Sequence, residues 1–312
     1  MKILVAGGAG FIGSNLIDLL LKKGHDVVCI DDFFIGTKAN IQHLENNEHF
    51  KFYEADICDQ DNLRSIMNSE KPEYVMHLAA NSDIQASAKN PGIEYEHTYS
   101  TTFNLLQAMR DCGVKKFFFA STSAVYGDKK EELLNEKTAE LAPVSYYGAA
   151  KLGSEALISA YTYMNDMSSL IFRFPNVIGP RLTHGVVYDF VRKLQSNPQK
   201  LEILGDGRQI KPYIYVQDLV EAIVQFMDVP QGVTLYNIGV ETATSVTRIA
   251  DIICEEMGLH DVKYCYTGGT GGWKGDVPKF RYDLSKIHAA GWQGGHASDE
   301  AVRLAARWMA AQ

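Results

Sequence analysis

Residues 7–13 read Gly-Gly-Ala-Gly-Phe-Ile-Gly, a G-x-x-G-x-x-G run that directly follows the short apolar segment KILVAG at 2–7 and opens onto a helical pattern at 12–23. A chain that must leave a strand, turn and enter a helix within so few residues needs glycine where a side chain would block the turn. A strand, a glycine turn and a helix make the first half of a βαβ unit, so the sequence beyond is expected to continue a parallel sheet. The segments DVVCID (26–31), FKFYEAD (50–56), YVMHLAA (74–80), KFFFAST (116–122) and LIFRFPNV (170–177) are nearly continuous apolar runs. Helical patterns separate them at 60–68, near 95–112 and from about 145 onward. Continuous apolarity marks strands covered on both faces. The fold class is therefore α/β, a doubly wound parallel sheet.

The rhythm changes after residue 174. Pro175, Pro180, Pro198 and Pro212 interrupt the next segment, LEILGDG reads as a strand entering a turn, and Gly268, Gly269, Gly271 and Gly272 form a loop. PYIYVQDL, beginning at Pro212, reads as a strand followed by a helix capped by Asp218. The expected organisation is a sheet domain of residues 1–174 plus about 212–238, and a smaller α/β portion of about 175–211 plus 239–312. Composition narrows the function classes. A net charge of −8 with no basic block lacks the footprint that nucleic-acid phosphates require. No apolar run approaches a membrane span, and Ile3 to Ala6 is too short for a signal-peptide core, so a cytoplasmic protein is expected. Cys29, Cys58, Cys112, Cys254 and Cys265 show no C-x-x-C spacing, which suggests neither a disulfide framework nor a metal site.

The glycine run has a chemical reading as well as a structural one. Glycines at a helix N-terminus let a pyrophosphate approach the backbone N–H groups and the positive end of the helix dipole. The second strand ends in Asp31, twenty-four residues after Gly7, with Asp32 next. A carboxylate there accepts hydrogen bonds from a ribose 2′-hydroxyl and repels a 2′-phosphate, which favours NAD over NADP in a Rossmann-type domain. Further on, SYYGAAK places Tyr147 four residues before Lys151, on one face of a helix. By itself that spacing also fits a surface contact.

Together, GGAGFIGSNL, DDFFIG, EADI, HLAA, FFFASTSAVYGD, YYGAAKLGSE, GPRLTHGVVYDFVRKL, LGDGRQIKPYIYVQDLVEA and GGWKGDVPKFRYDLSKIHAAGW span nearly the whole chain. In these motifs the sequence resembles the extended short-chain dehydrogenase/reductase superfamily, in its NAD-dependent nucleotide-sugar epimerases and dehydratases, and is most similar to UDP-glucose 4-epimerase-type proteins. The resemblance implies catalytic roles for Thr122, Tyr147 and Lys151, with Tyr147 as base and Lys151 both favouring the phenolate and holding the nicotinamide ribose. It implies NAD contacts from Gly7, Gly10, Phe11, Ile12, Gly13, Asp31, Asp32, Asp56, Ile57, Leu78, Ala79 and Ala80, besides Tyr147 and Lys151. It implies contacts to a nucleotide-diphosphate sugar from Thr122, Ser123, Asn176, Arg181, Lys211 and Trp273.

Three positions depart from the pattern. Lys211 and Trp273 stand where arginines for the diphosphate are frequent, and Thr98 where an active-site asparagine is frequent; Arg181, Arg208 and His184 could compensate. The eliminating relatives place an Asp-Glu pair after the catalytic threonine and the decarboxylating ones a glutamate, whereas this chain has Ser123 and Ala124. Inversion at C4 through a 4-keto intermediate needs neither acid, so epimerisation of UDP-glucose/UDP-galactose or the N-acetyl pair is the expected reaction. The alternatives are another 4-keto transformation (a reductase, 5,6-dehydratase or decarboxylase) and, in a different class, a non-catalytic NAD-responsive binding protein. The resemblance also implies a homodimer built from the helices near 95–112 and 146–164.

Overall fold

The computed structural model describes residues 1–130, 132–269 and 275–312, with residue 85 by its backbone alone. The chain divides into two compact units. The first comprises residues 1–125, 146–173 and 220–236, the second residues 126–145, 174–219 and 237–312.

A seven-stranded sheet organises the first unit. Its strands are β1 (Lys2–Ala6), β2 (Asp26–Asp31), β3 (Phe50–Glu54), β4 (Tyr74–His77), β5 (Lys116–Thr122), β6 (Ser168–Phe174) and β7 (Gly232–Asn237). They lie in the order β7-β6-β5-β4-β1-β2-β3, and β1 pairs in parallel with both β2 and β4. The β2–β3 and β4–β5 pairs are parallel too. The order reverses between β1 and β4, which puts the ends of those strands at a topological switch point. All of β4 and most of β1, β2, β5 and β6 are buried, as continuous apolar runs require when helices cover both faces. Leu4, Ile30, Val75, Phe117, Phe119 and Ile171 share one core cluster with Leu63, Ile66 and Met67 of the Gln60–Glu70 helix. Each such side chain contributes ~1.5–3 kcal/mol by leaving water. That helix starts where Asp59 accepts a hydrogen bond from Asn62 N at 3.1 Å and stops at Lys71 in the left-handed region.

The expected single helix over 95–112 is more complex. A turn at Gly92–Glu94 runs into a π-helical segment, Tyr95–Ser100, before regular α-helix resumes at Thr101–Cys112. Such widened turns recur at functional sites.

The second unit holds short strands and three helices that pack on one another, Val186–Ser196, Val246–Glu256 and Ser298–Ala310. Its boundaries depart from those read in the sequence. Tyr213–Tyr215 pairs in parallel with Asn176–Ile178 and not with the large sheet, so residues 212–219 group with the second unit, as do residues 126–145. The chain returns to the first unit only at residue 220. Asp218 is also not a cap: the Val216–Gln225 helix begins two residues earlier, and Asp218 in its first turn accepts hydrogen bonds from His296 N and Nδ1 at 3.1 and 3.0 Å. Among the described residues no helix is long and apolar enough to cross a membrane.

Candidate active site

The glycine turn joins β1 to the Phe11–Lys22 helix at the switch point. Gly7 has φ +78°, and a Cβ there would lie 2.5 Å from Ala79 N, so the turn rests directly on the backbone beyond β4. A Cβ on Gly13 would overlap Gly7 O and come within 2.8 Å of Gly8 Cα, which explains why the helix can begin so close to the strand only with glycine. Gly10 is the N-cap and no side chain caps the helix, so the first N–H groups, at Phe11, Ile12 and Gly13, remain available to an anion. Leu78, Ala79 and Ala80 are partly exposed beyond the end of β4.

Asp31, at the end of β2, is 7% exposed. Its Oδ2 accepts from Ala9 N at 2.9 Å and its Oδ1 from Phe33 N at 2.8 Å, which leaves each oxygen a free lone pair for a hydroxyl. Burial raises its carboxyl above the usual range, opposed by those two N–H groups. Two residues missed at the sequence level close this corner. Asn40 Nδ2 donates to Ala9 O at 2.9 Å, and Gly36 passes so close that a Cβ would lie 2.9 Å from Asp31 Oδ1. Thr37 N also donates to Ala9 O, so the loop after β2 is clamped onto the glycine turn. Asp32, by contrast, is exposed and accepts from Phe34 N at 3.0 Å. Asp56 is exposed and accepts from Cys58 N at 2.7 Å, while the Ile57 side chain belongs to the core cluster. For Ile57 only the backbone is left to face a ligand.

The Tyr146–Met164 helix carries Tyr147 and Lys151, and Thr122 ends β5. The structure brings all three together: Thr122 hydrogen-bonds the Tyr147 phenol, and Lys151 Nζ lies 5.8 Å from the centre of the Tyr147 ring. Thr122 Oγ1 also accepts from Ala124 N at 3.2 Å, with Ser123 between them partly exposed. Lys151 is 2% exposed, and its Nζ donates to Ala120 O at 2.7 Å and lies 4.6 Å from the Phe119 ring centre. A solvated surface pair would not bury its ammonium, so the pair is a built feature.

Electrostatics here correct one expectation. The protein alone does not favour the Tyr147 phenolate: burial, helped by the negative charge of Glu94, raises the phenol above its ordinary value, and only the Thr122 hydrogen bond opposes them. Burial pushes the Lys151 ammonium down to about 7, against the charges of Glu94 and Glu155. Desolvation, which disfavours both charged forms, outweighs the mutual attraction read from the spacing.

The second unit is described by itself. Asn176 and Tyr213 are strand partners, and Asn176 Nδ2 is 3.5 Å from Pro212 O. Lys211 forms an ion pair with Asp276 and so is not an uncommitted cation. Arg181 is partly buried with φ +72°, a left-handed backbone that a non-glycine residue rarely adopts. Arg208 is exposed, and His184 Nδ1 lies 3.3 Å from Thr183 Oγ1. Trp273 lies outside the described residues.

Comparison with known proteins adds the following. A family model described as the NAD dependent epimerase/dehydratase family matches residues 3–239. The chain is 32% identical over 299 residues to a UDP-glucose 4-epimerase from Mycolicibacterium smegmatis, covering 94% of this chain and 93% of that one. It is 28% identical over 318 residues to a dTDP-D-glucose 4,6-dehydratase from Mus musculus, covering 98% and 88%. Among solved structures, the UDP-glucose 4-epimerase with UDP-glucose from Thermotoga maritima superposes with a TM-score of 0.90 at 31% identity, over 99% of this chain and 98% of that one.

Proposed function

The chain belongs to the NAD dependent epimerase/dehydratase family, and from that premise we propose that it inverts C4 of a nucleotide-diphosphate hexose, UDP-glucose/UDP-galactose or the N-acetyl pair. One observation carries the reading: Thr122, Tyr147 and Lys151 are held together at the end of β5, followed by Ser123 and Ala124 where eliminating or decarboxylating relatives need acids. The names of the relatives support the class, since they include 4-epimerases beside a 4,6-dehydratase.

The first unit fits the family's cofactor. The free N–H groups at the start of the Phe11–Lys22 helix, the side-chain-free approach at Gly7 and Gly10, and the open lone pairs of Asp31 match a pyrophosphate and a ribose. Leu78, Ala79 and Ala80 would wall the site, and Asp56 with the Ile57 backbone would hold the adenine. Held by these residues, NAD would supply a hydride acceptor for C4 and a positive charge that favours loss of the phenol proton. The chain's own residues do the rest. Tyr147 takes the proton of the C4 hydroxyl, and Thr122 hydrogen-bonds the same oxygen and orients the phenol. Lys151, buried and donating, orients the ribose. The resemblance assigns Asn176, Arg181 and Lys211 to the sugar nucleotide, and Lys211 would have to leave Asp276 to take that role. Exposed Tyr95, Phe103, Tyr163 and Met164 on the helical segments 92–112 and 146–164 support a homodimer.

A panel of UDP-, GDP-, CDP- and dTDP-hexoses, followed by the absorbance of the bound cofactor and product NMR, tests the reading. A UDP-hexose is expected to change the absorbance and yield its C4 epimer; silence across the panel would favour the binding-protein alternative. A second expectation concerns Asp31. Asp31→Ala should weaken NAD binding ~10-fold or more, the range for a hydrogen bond to a charged group, and narrow the preference over NADP. Calorimetry of wild type showing equal affinity for the two would refute the assignment.

A further inference from the structure

A buried carboxylate that the mechanism above does not use stands close to its centre. Glu94, at the end of the Gly92–Glu94 turn, is 2% exposed. Its Oε1 accepts from Asn81 Nδ2 at 2.8 Å and its Oε2 from Thr98 Oγ1 at 2.7 Å. Among the described residues it forms no ion pair.

The hydrogen-bond directions suit a negative charge on it. Asn81 N donates to Thr98 Oγ1 at 3.2 Å, which leaves the threonine hydroxyl its own proton to donate to Glu94 Oε2. The orientation of the Asn81 amide is settled as well, because its Oδ1 accepts from Asp83 N at 3.1 Å while Nδ2 donates to Asp83 O at 3.0 Å. Each Glu94 oxygen thus faces a donor group, an arrangement that suits a carboxylate. Neutral donors satisfy it, and among the described residues no cation pairs with it.

This network sits against both halves of the site. Asn81 directly follows the Leu78–Ala80 wall, and the helical segment holding Glu94 and Thr98 packs on the Tyr146–Met164 helix, where Gly153 lets the Tyr99 ring approach to 3.1 Å of a would-be Cβ. Deeper in, Thr102 Oγ1 donates to Thr98 O at 3.0 Å and meets His77 Nε2 of β4 at 3.0 Å. The other carboxylate near Lys151, Glu155, is already held by Arg173 through contacts of 2.6 and 3.0 Å.

We propose that Glu94 is a positioning residue of the active site: held as a carboxylate by Asn81 and Thr98, it ties the 78–81 wall to the helix and sets by its fixed charge the proton affinity of the Tyr147–Lys151 pair. Thr98, read from sequence as a departure, is here one half of a Thr98–Glu94 unit. The charged and titratable groups facing Lys151 are Glu94 from the 92–94 turn, Glu155 on its own helix, Tyr147 one turn away, and His77 of β4, which burial keeps neutral. Of these, Glu94 is the one whose charge is not already offset. Removing a negative charge makes every proton of a coupled cluster easier to lose, whichever site releases it first.

The proposal rests on the catalytic reading of Tyr147 and Lys151, and its test does not require turnover. With lysine side chains labelled with ¹³C at Cε, the Lys151 resonance, assigned by its absence in Lys151→Met, is followed against pH in the free protein. Glu94→Gln is expected to move its inflection to lower pH by about one unit, as loss of a charge close by should. Glu94→Asp, which keeps the charge, is expected to stay near wild type. An unmoved inflection in a folded Glu94→Gln protein would mean the residue is only a structural link and would overturn the proposal. If Glu94→Gln does not fold, infrared difference spectra of wild type decide: a carboxylate ionised throughout the Lys151 titration supports the proposal, and a buried protonated-carboxyl band appearing over the same pH range overturns it. Failure of the sugar-nucleotide panel would count against the reaction and leave this titration unaffected.

Discussion

Tyr147→Phe removes a single oxygen and is expected to slow the reduction of bound NAD by a sugar nucleotide at least ~10²-fold, the scale for losing a general acid–base group. The fold should hardly notice. The ring stays, the phenol's hydrogen bond is to Thr122, and Thr122 keeps its second partner in Ala124 N. NAD affinity should also stay near wild type, because on the proposed reading the pyrophosphate and adenosine ribose would be taken by the glycine turn and Asp31. Tyr146→Phe is the internal control: its side chain is 53% exposed, so the same chemical change there should be mild. Single-turnover absorbance is the measurement, since it isolates hydride transfer from product release. Wild-type speed in Tyr147→Phe would return the Tyr147–Lys151 pair to a purely structural role.

Gly13→Ala should do comparable damage for a different reason. Its Cβ would overlap Gly7 O and sit 2.8 Å from Gly8 Cα, and both obstacles are backbone, so no side chain can swing aside. Overpacking of this kind costs about 1–3 kcal/mol, and here the strain falls on the turn that presents the Phe11, Ile12 and Gly13 N–H groups. A lowered melting temperature together with a loss of NAD affinity of at least ~10²-fold is expected; about 2.7 kcal/mol of binding accounts for that factor. Gly10→Ala separates the two effects. A Cβ there meets only Gly7 O at 3.3 Å, so stability should be nearly retained while NAD, which must approach that backbone, still binds less well. Calorimetry beside thermal unfolding checks both variants, and tight NAD binding by Gly13→Ala would contradict the assigned cradle.

The parts of this protein legible from sequence are those written in local pattern. The glycine turn, the apolar strands and the βα alternation each follow from residues near one another in the chain, and the seven-stranded sheet agrees with them. Helical spacing puts Tyr147 and Lys151 on one face, while their catalytic roles come from the resemblance of the surrounding motifs. The missed features depend on long-range geometry. Nothing local marks Glu94 as buried, because a glutamate in a polar stretch reads as solvated until Asn81 and Thr98 are folded onto it. Asn40 and Gly36 matter only because the loop after β2 closes on Ala9 and Asp31. Tyr213–Tyr215 has the composition of a sheet strand, yet composition does not name the partner, and it pairs with Asn176–Ile178. The direction of the Tyr147 shift was misread for a related reason: spacing shows that an ammonium is near but not that both groups are desolvated.

The most direct measurement of the central claim is product NMR after turnover of UDP-galactose in deuterated water. The expected result is UDP-glucose with its C4 proton retained and no deuterium on the sugar carbons, since the hydride leaves and returns at C4 without exchange. A dehydrated or one-carbon-shorter sugar, or deuterium built into the carbon skeleton, would contradict it.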